Sequence, residues 1–388
     1  MRLWLLAALA FMLVPATASA QPRDPTMDAA VRDLCHRQVA MLGEASHGDG
    51  ATFAFKNRLI RRLVTECGYN AVFFEASHYD FLEFQRRVRA REPVTPAMVS
   101  SSIGGLWNRF AEVAPLIQFL FEQAQAGRLQ LGGLDDQIGS AGAFFSNDEM
   151  PLRLTAGLAP ARRDECRTLF HRRLYWQYGE AQHHTAEEVA SRQACLADMA
   201  AAVARTGGRD RLEQAQMIAN MRSAQAREFM EGDALTRGRD LAMYRNLRWL
   251  AARLGPRAKI IVWTHNAHAA WDAASSTSFP NGGNLGAYVR QAYGTRAFAL
   301  GFAAYGGSWR SVFVREDTAL PEAPAGSLEA LAMTGAAGES VYRGAPWLAR
   351  TGRIPGRPFN YVSAPADWGR VFDGLVVFRA ERPPVRNR

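Results

Sequence analysis

Five short apolar runs recur along this chain with helical patterns between them. The runs cover residues 38–43, 70–75, 129–134, 259–264 and 297–302, and four of the five give way directly to acidic or imidazole side chains. The intervening segments 52–66, 79–91, 106–126, 238–254 and 285–293 carry helical periodicity. Alternation of this kind specifies an α/β fold with a mostly parallel sheet flanked by helices. Such sheets bind ligands beyond the carboxyl ends of their strands. Glu44 and His47 follow the first run, Glu75 ends the second, Asp135 and Asp136 follow the third, and His265 and His268 follow the fourth. If the runs are neighbours, these side chains converge on one rim.

Residues 1–20 have the form of a secretory leader, with Arg2, an apolar stretch over 3–14 and a small-residue cleavage site at Ala18-Ser19-Ala20. The expectation is an exported protein, periplasmic or secreted. No later segment is long and apolar enough to span a bilayer, so no stable membrane insertion is expected after cleavage. Residues 21–380 read as one α/β domain. The strand signal vanishes between about 151 and 235, where 162–178, 186–206 and 210–229 read as amphipathic helices of an insertion or cap. Segments 311–315 and 374–379 read as late strands, antiparallel at the sheet edge, and 381–388 as a disordered tail. Cys35, Cys67, Cys166 and Cys195 allow three pairings. Cys35–Cys67 and Cys166–Cys195 is preferred, because each pair lies within one local helical region.

The net charge of +9 raises the question of an anionic polymer as partner. The basic residues are almost all Arg, Lys56 and Lys259 being the only lysines, and they are dispersed among Asp and Glu. No basic block or aromatic–basic stripe points to nucleic acid. No phosphate-binding or dinucleotide glycine pattern is present, and no cofactor is expected.

Each rim residue has a structural reading beside the chemical one. Glu44 could cap a helix, Glu75 could pair with Arg58 or Arg62, and Asp135 could stabilise a loop. The small neighbours of His47, Ser46 and Gly48, suggest close approach of a ligand to the backbone. His265 and His268 share a face if their loop takes a helical turn, with Asn266 able to orient either. His78 and Asp80 belong behind the site or at the surface. His36, His171, His183 and His184 belong at the surface. Arg239 could turn a guanidinium to the pocket, whereas Asp240 reads as a solvated helix charge. There is no G-x-S-x-G elbow. Histidine beside carboxylate without a Ser or Cys nucleophile suggests direct attack by water, with a histidine as base and a carboxylate fixing its tautomer.

Several motifs resemble the erythromycin esterase family: L-G-E-A-S-H-G at 42–48, F-K-N-R-L at 55–59, F-E-A at 74–76, R-D-x-x-M at 239–243 and V-W-T-H-N-A-H at 262–268. Gly286-Ala287-Tyr288 followed by Ala299-Leu300-Gly301-Phe302 is similar to it as well. The resemblance implies a metal-independent hydrolase in which His47 activates water against an ester or lactone carbonyl. It implies that Glu44 and Glu75 are the essential carboxylates and that His265 and His268 stabilise the oxyanion or orient substrate. Lys56 and Arg58 match the basic position of the first helix; with Asp135 and Arg239 they complete the expected substrate-binding set. The family is distantly similar to Tiki and ChaN-like proteins. That leaves two alternatives: a metal-dependent, peptidase-like hydrolase, and a non-catalytic haem- or saccharide-binding protein.

Overall fold

The computed structural model describes residues 24–137, 144–175, 184–276, 283–311, 314 and 316–387. The leader assigned to 1–20 and His183 lie outside them. The chain runs α1 (Pro25–Cys35), β1 (Val39–Leu42), α2 (Gly50–Cys67), β2 (Ala71–Ser77), α3 (His78–Ala90), α4 (Pro96–Ile103), α5 (Ala114–Gln125), β3 (Gln130–Asp135) and α6 (Glu149–Leu154). It continues through α7 (Pro160–Tyr175), α8 (Ala186–Ala204), α9 (Gly208–Gln225), α10 (Gly232–Leu254), β4 (Ile260–Trp263), α11 (Asn266–Ala269), α12 (Leu285–Tyr293) and β5 (Ala297–Ala304). The later strands are β6 (Gly307–Trp309), β7 (Thr318–Leu320), β8 (Ser340–Gly344), β9 (Arg353–Phe359), β10 (Val362–Asp367) and β11 (Gly374–Phe378).

The main sheet has seven strands in the order β3-β2-β4-β1-β5-β11-β8. All pairs are parallel except β11–β8. Alternation along the strands divides the core in two. Val39, Met41, Phe73, Val262 and Ala299 face α10 and α12 through Met243, Leu247, Leu250, Leu285 and Val289. Ala40, Leu42, Phe74, Ile261 and Leu300 face α1, α2 and α5 through Leu34, Leu59, Leu63, Leu116 and Leu120. The result is the helix–sheet–helix sandwich that the alternation of elements implies. Register then sets the rim: Leu42 is level with Trp263 and Leu300, and Trp263 with Phe74. The residues just beyond these positions leave the sheet side by side.

β2 carries an irregularity at that rim. Phe74 faces Gly133 and Ser77 faces Asp135, so Glu75 and Ala76 together oppose Leu134. The extra residue re-aims the strand end, as bulges do. A Cβ on Gly133 would stand 2.1 Å from the Ser77 carbonyl oxygen, so the bulge fits only a glycine there.

Several expectations are corrected. The helix expected from 106 starts at Ala114, because Pro115 occupies its first turn and residues 104–113 fold into turns instead. The 374–379 strand is β11, inside the sheet and parallel to β5; the antiparallel edge is β8. Segment 311–315 lies partly outside the described residues, and β6 and β7 on either side of it pair with each other. The terminal stretch is not loose. Glu381 accepts from Ala51 N (2.6 Å) and Thr52 N (3.3 Å), which closes the open N–H groups at the start of α2. Val385 O accepts from Ala111 N at 2.7 Å, and Asn387 N donates to Arg109 O at 2.8 Å. Disulfides join Cys35 to Cys67 and Cys166 to Cys195, tying α1 to α2 and α7 to α8.

Candidate active site

Glu44 leaves β1 fully buried and accepts four hydrogen bonds. Oε1 takes His47 Nδ1 at 2.7 Å and Trp107 Nε1 at 2.8 Å; Oε2 takes Lys56 Nζ at 2.8 Å and Trp263 Nε1 at 2.7 Å. Burial works against its ionisation, but Lys56 and His47 outweigh it and hold the carboxyl below the ordinary carboxylate range. Lys56 is equally buried and lies 4.1 Å from the centroid of the Trp263 ring. Burial brings its ammonium down to about 8 against the pull of Glu44. A carboxylate accepting from Nδ1 leaves the neutral His47 ring protonated there and its Nε2 a lone pair. His47 is the one member of this group still reached by solvent, at 21% of its side chain, and it lines a cleft of about 450 Å³.

Glu75, re-aimed by the bulge, meets Arg239 Nη2 at 2.9 Å, Thr264 Oγ1 at 2.8 Å, His265 N at 3.0 Å and His268 Nε2 at 3.3 Å. Burial opposes its charge; His268 and Arg239 nonetheless hold it well below the ordinary carboxylate range. Arg239 also grips Asp135 Oδ2 through Nε (3.1 Å) and Nη2 (2.6 Å). His268 Nδ1 stands 2.7 Å from Asp240 Oδ1. Burial disfavours its charge, but Asp240 and then Glu75 raise it to about 10, so it is an imidazolium at neutral pH. His268 therefore donates from both ring nitrogens.

His265 differs in kind. Its Nδ1 accepts from Ala267 N at 3.1 Å, so the proton sits on Nε2 and is donated to Ala45 O at 2.8 Å. Burial, then the neighbouring His47, lower it to about 4. Both nitrogens are committed within the protein, Nε2 lying also 3.2 Å from Asn360 Oδ1, so the ring is a neutral brace that locks the Glu44–His47 loop. In this arrangement its ring proton is already donated, so of the two roles the resemblance implies, stabilising the oxyanion or orienting substrate, the first has no free proton here.

The rim therefore brings together Glu44, His47, Lys56, Glu75, Asp135, Arg239, His265 and His268. It does not include Arg58, which is exposed on the outer side of α2, 3.2 Å from Asp24. The partner of Glu75 is Arg239, not Arg58 or Arg62. Gly48 accommodates the chain itself: a Cβ there would meet Arg310 O at 1.5 Å. Asn266 orients neither histidine and bonds Phe302 O and Pro358 O, both at 2.7 Å. His78 and Asp80 are fully buried at the start of α3. Asp80 accepts from Phe145 N and Ser146 N, and burial lowers His78 to about 4. His184, expected at the surface, is buried beside Arg192 under the cap helices, while His36 and His171 are exposed. Trp107 has no motif in the sequence, Trp263 enters only as part of V-W-T-H-N-A-H, and Asp240 reads there as a solvated helix charge. The indoles look like core residues in any apolar pattern. Asp240 looked solvated, although it shares the buried stripe of Met243 and Leu247 at helical spacing, which was the available signal. Among the described residues, no three His, Cys, Asp or Glu side chains are arranged to hold a metal ion.

The family model for erythromycin esterase matches residues 64–380. The chain belongs to the erythromycin esterase family. The match begins beyond Glu44, His47 and Lys56, so those three rest on geometry and motif. A Bacillus subtilis relative described as "Putative hydrolase YbfO" is 24% identical over 76% of this chain and 71% of its own length. Three solved structures share the esterase fold. A Bacillus cereus protein superposes with a TM-score of 0.73, 18% identity and 93% of each chain covered. A succinoglycan biosynthesis protein gives 0.72, with 14% identity and 92% of each chain covered. A mutant of the erythromycin esterase EreC, in its open conformation, gives 0.64 at 15% identity, covering 94% of this chain and 96% of its own. Family membership and the YbfO relative support hydrolysis as the general activity of this chain.

Proposed function

We propose that this protein hydrolyses an ester or lactone by water that His47 activates. The observation that carries the reading is the buried Glu44 carboxylate on His47 Nδ1, which leaves Nε2 as the free lone pair of a ring lining the cleft. Nε2 takes a proton from water as the oxygen adds to the substrate carbonyl carbon. Glu44 stabilises the resulting imidazolium. The tetrahedral adduct collapses to the acid, and the proton held on His47 passes to the departing alkoxide. Arg239 supports the oxyanion. Its Nη1 lies 3.4 Å from His268 Nε2, which is itself a donor in the imidazolium, so the Nη1 protons have no acceptor among the described residues. They are available where negative charge develops.

The leader at 1–20 and two disulfides support export to an oxidising compartment. The test of the chemistry is His47→Ala, assayed on activated aryl esters and lactones beside circular dichroism. The expected result is a loss of about 10²- to 10⁴-fold in kcat with the fold retained. Activity surviving the substitution would overturn the assignment of the base.

A further inference from the structure

The charged groups around the cleft are mutually satisfied, with one exception. Glu75 and Asp135 are held by Arg239, Asp240 by His268, and Glu44 by Lys56. Arg109, itself an exposed residue, lines the same cleft as His47 and Arg239, and its guanidinium has no partner among the described residues. We propose that Arg109 is a specificity residue that binds an anionic, carboxylate-type group on the substrate, at a distance from the carbonyl attacked. The proposal rests on the hydrolase reading above and names its substrate class: esters or lactones that carry a negative charge.

The backbone that carries Arg109 is fixed, while its side chain is free to meet a ligand. Residues 104–113 form turns, and the terminal strand of chain fixes them from outside. Asn387 N donates to Arg109 O, Asn387 Nδ2 to Asn108 O (3.0 Å), and Ala111 N to Val385 O. The guanidinium then lies over a notch in its own wall: Nη2 is 2.6 Å from where a Cβ on Gly105 would stand. A side chain at 105 would displace it. A forked cation at the edge of a cleft is suited to a planar anion through paired N–H bonds. Arg239 cannot serve that purpose, because Glu75 and Asp135 occupy its Nε and Nη2.

The test compares 4-nitrophenyl pentanoate with the mono-4-nitrophenyl ester of glutaric acid, which has the same acyl length and a terminal carboxylate. Wild type should prefer the anionic ester in kcat/KM by about tenfold or more, as one charge-assisted contact supplies. Arg109→Gln should bring the ratio near one, with the loss in KM, and Arg109→Lys should restore part of it. Arg128→Gln, the same charge change on the far surface, should keep the wild-type ratio. A ratio near one in wild type, or one unmoved by Arg109→Gln, overturns the anion site while leaving the hydrolase reading intact. Calorimetric titration with glutarate separates the two ideas from the other side. Should neither ester turn over, glutarate binding that Arg109→Gln weakens about tenfold keeps the anion site and removes the hydrolase reading. Binding indifferent to the substitution removes the site.

Discussion

Asp240→Asn isolates the charge on His268. The asparagine Oδ1 can still accept from the ring and from Leu285 N, which Asp240 Oδ1 does now at 2.7 Å, so the geometry survives and the negative charge does not. His268 is raised to about 10 in spite of its burial, with Asp240 the largest favourable cause and Glu75 next. Loss of the anion that contributes most should bring the ring down from that value. The sign of the stability effect follows from the raised value. The unfolded histidine titrates near 6.5, so the contribution is complete below that pH and is lost as pH rises toward 10. Wild type should then exceed the variant by roughly 1–3 kcal/mol at pH 6–7, a gap that narrows as pH rises toward 10. Lys56, lowered to about 8, titrates in the same range with the opposite slope, but it does so in both proteins and cancels in the difference. Urea unfolding at pH 6, 7, 8.5 and 9.5 measures the gap, and imidazole ¹⁵N shifts follow the ring itself. A gap that stays constant with pH would show that Asp240 acts by packing alone, and the charged-histidine account would fall.

Two further outcomes follow from the same geometry. Trp107→Phe keeps an aromatic ring edge-on to His47, now 5.3 Å between centroids, but removes the 2.8 Å bond to Glu44. Stability should fall by about 1.5–3 kcal/mol, the range for a hydrogen bond to a charged group, and the acid limb of kcat/KM should move to higher pH as Glu44 becomes easier to protonate. An unmoved limb would detach Glu44 from the base. Replacing Cys166 and Cys195 together by Ala opens a loop of 29 residues and should cost about 3.5 kcal/mol in denaturant unfolding. The absence of a thiol–disulfide mass difference on reduction of the native chain would remove the premise.

The parallel part of the sheet was readable because its strands are continuous apolar runs and its helices keep their period. The rim was readable for a related reason: a charged residue directly after Phe74, or one glycine beyond Leu42, interrupts a pattern that packing alone would extend. What escaped the sequence depends on partners far along the chain. Arg58 and Lys56 are two apart on one helix, and only the packing of α2 decides that Lys56 faces Glu44 while Arg58 faces water. Ordering of the last residues depends on the open N–H groups of α2 and on the turns at 104–113, neither visible in a charged, proline-containing terminus. The roles of His265 and His268 separate for the same reason. Three residues apart, one is held neutral by backbone partners and the other charged by two carboxylates.

The four donors around Glu44 come from positions 47, 56, 107 and 263. No contiguous fragment shorter than the stretch from the first strand to the fourth can hold them all. Contacts of such long sequence separation form late, after the cost of closing the intervening loops has been met. Regained turnover should therefore trail the recovery of helical signal during refolding, and a chain with only its early elements in place has the base but not the charge pattern that makes it one.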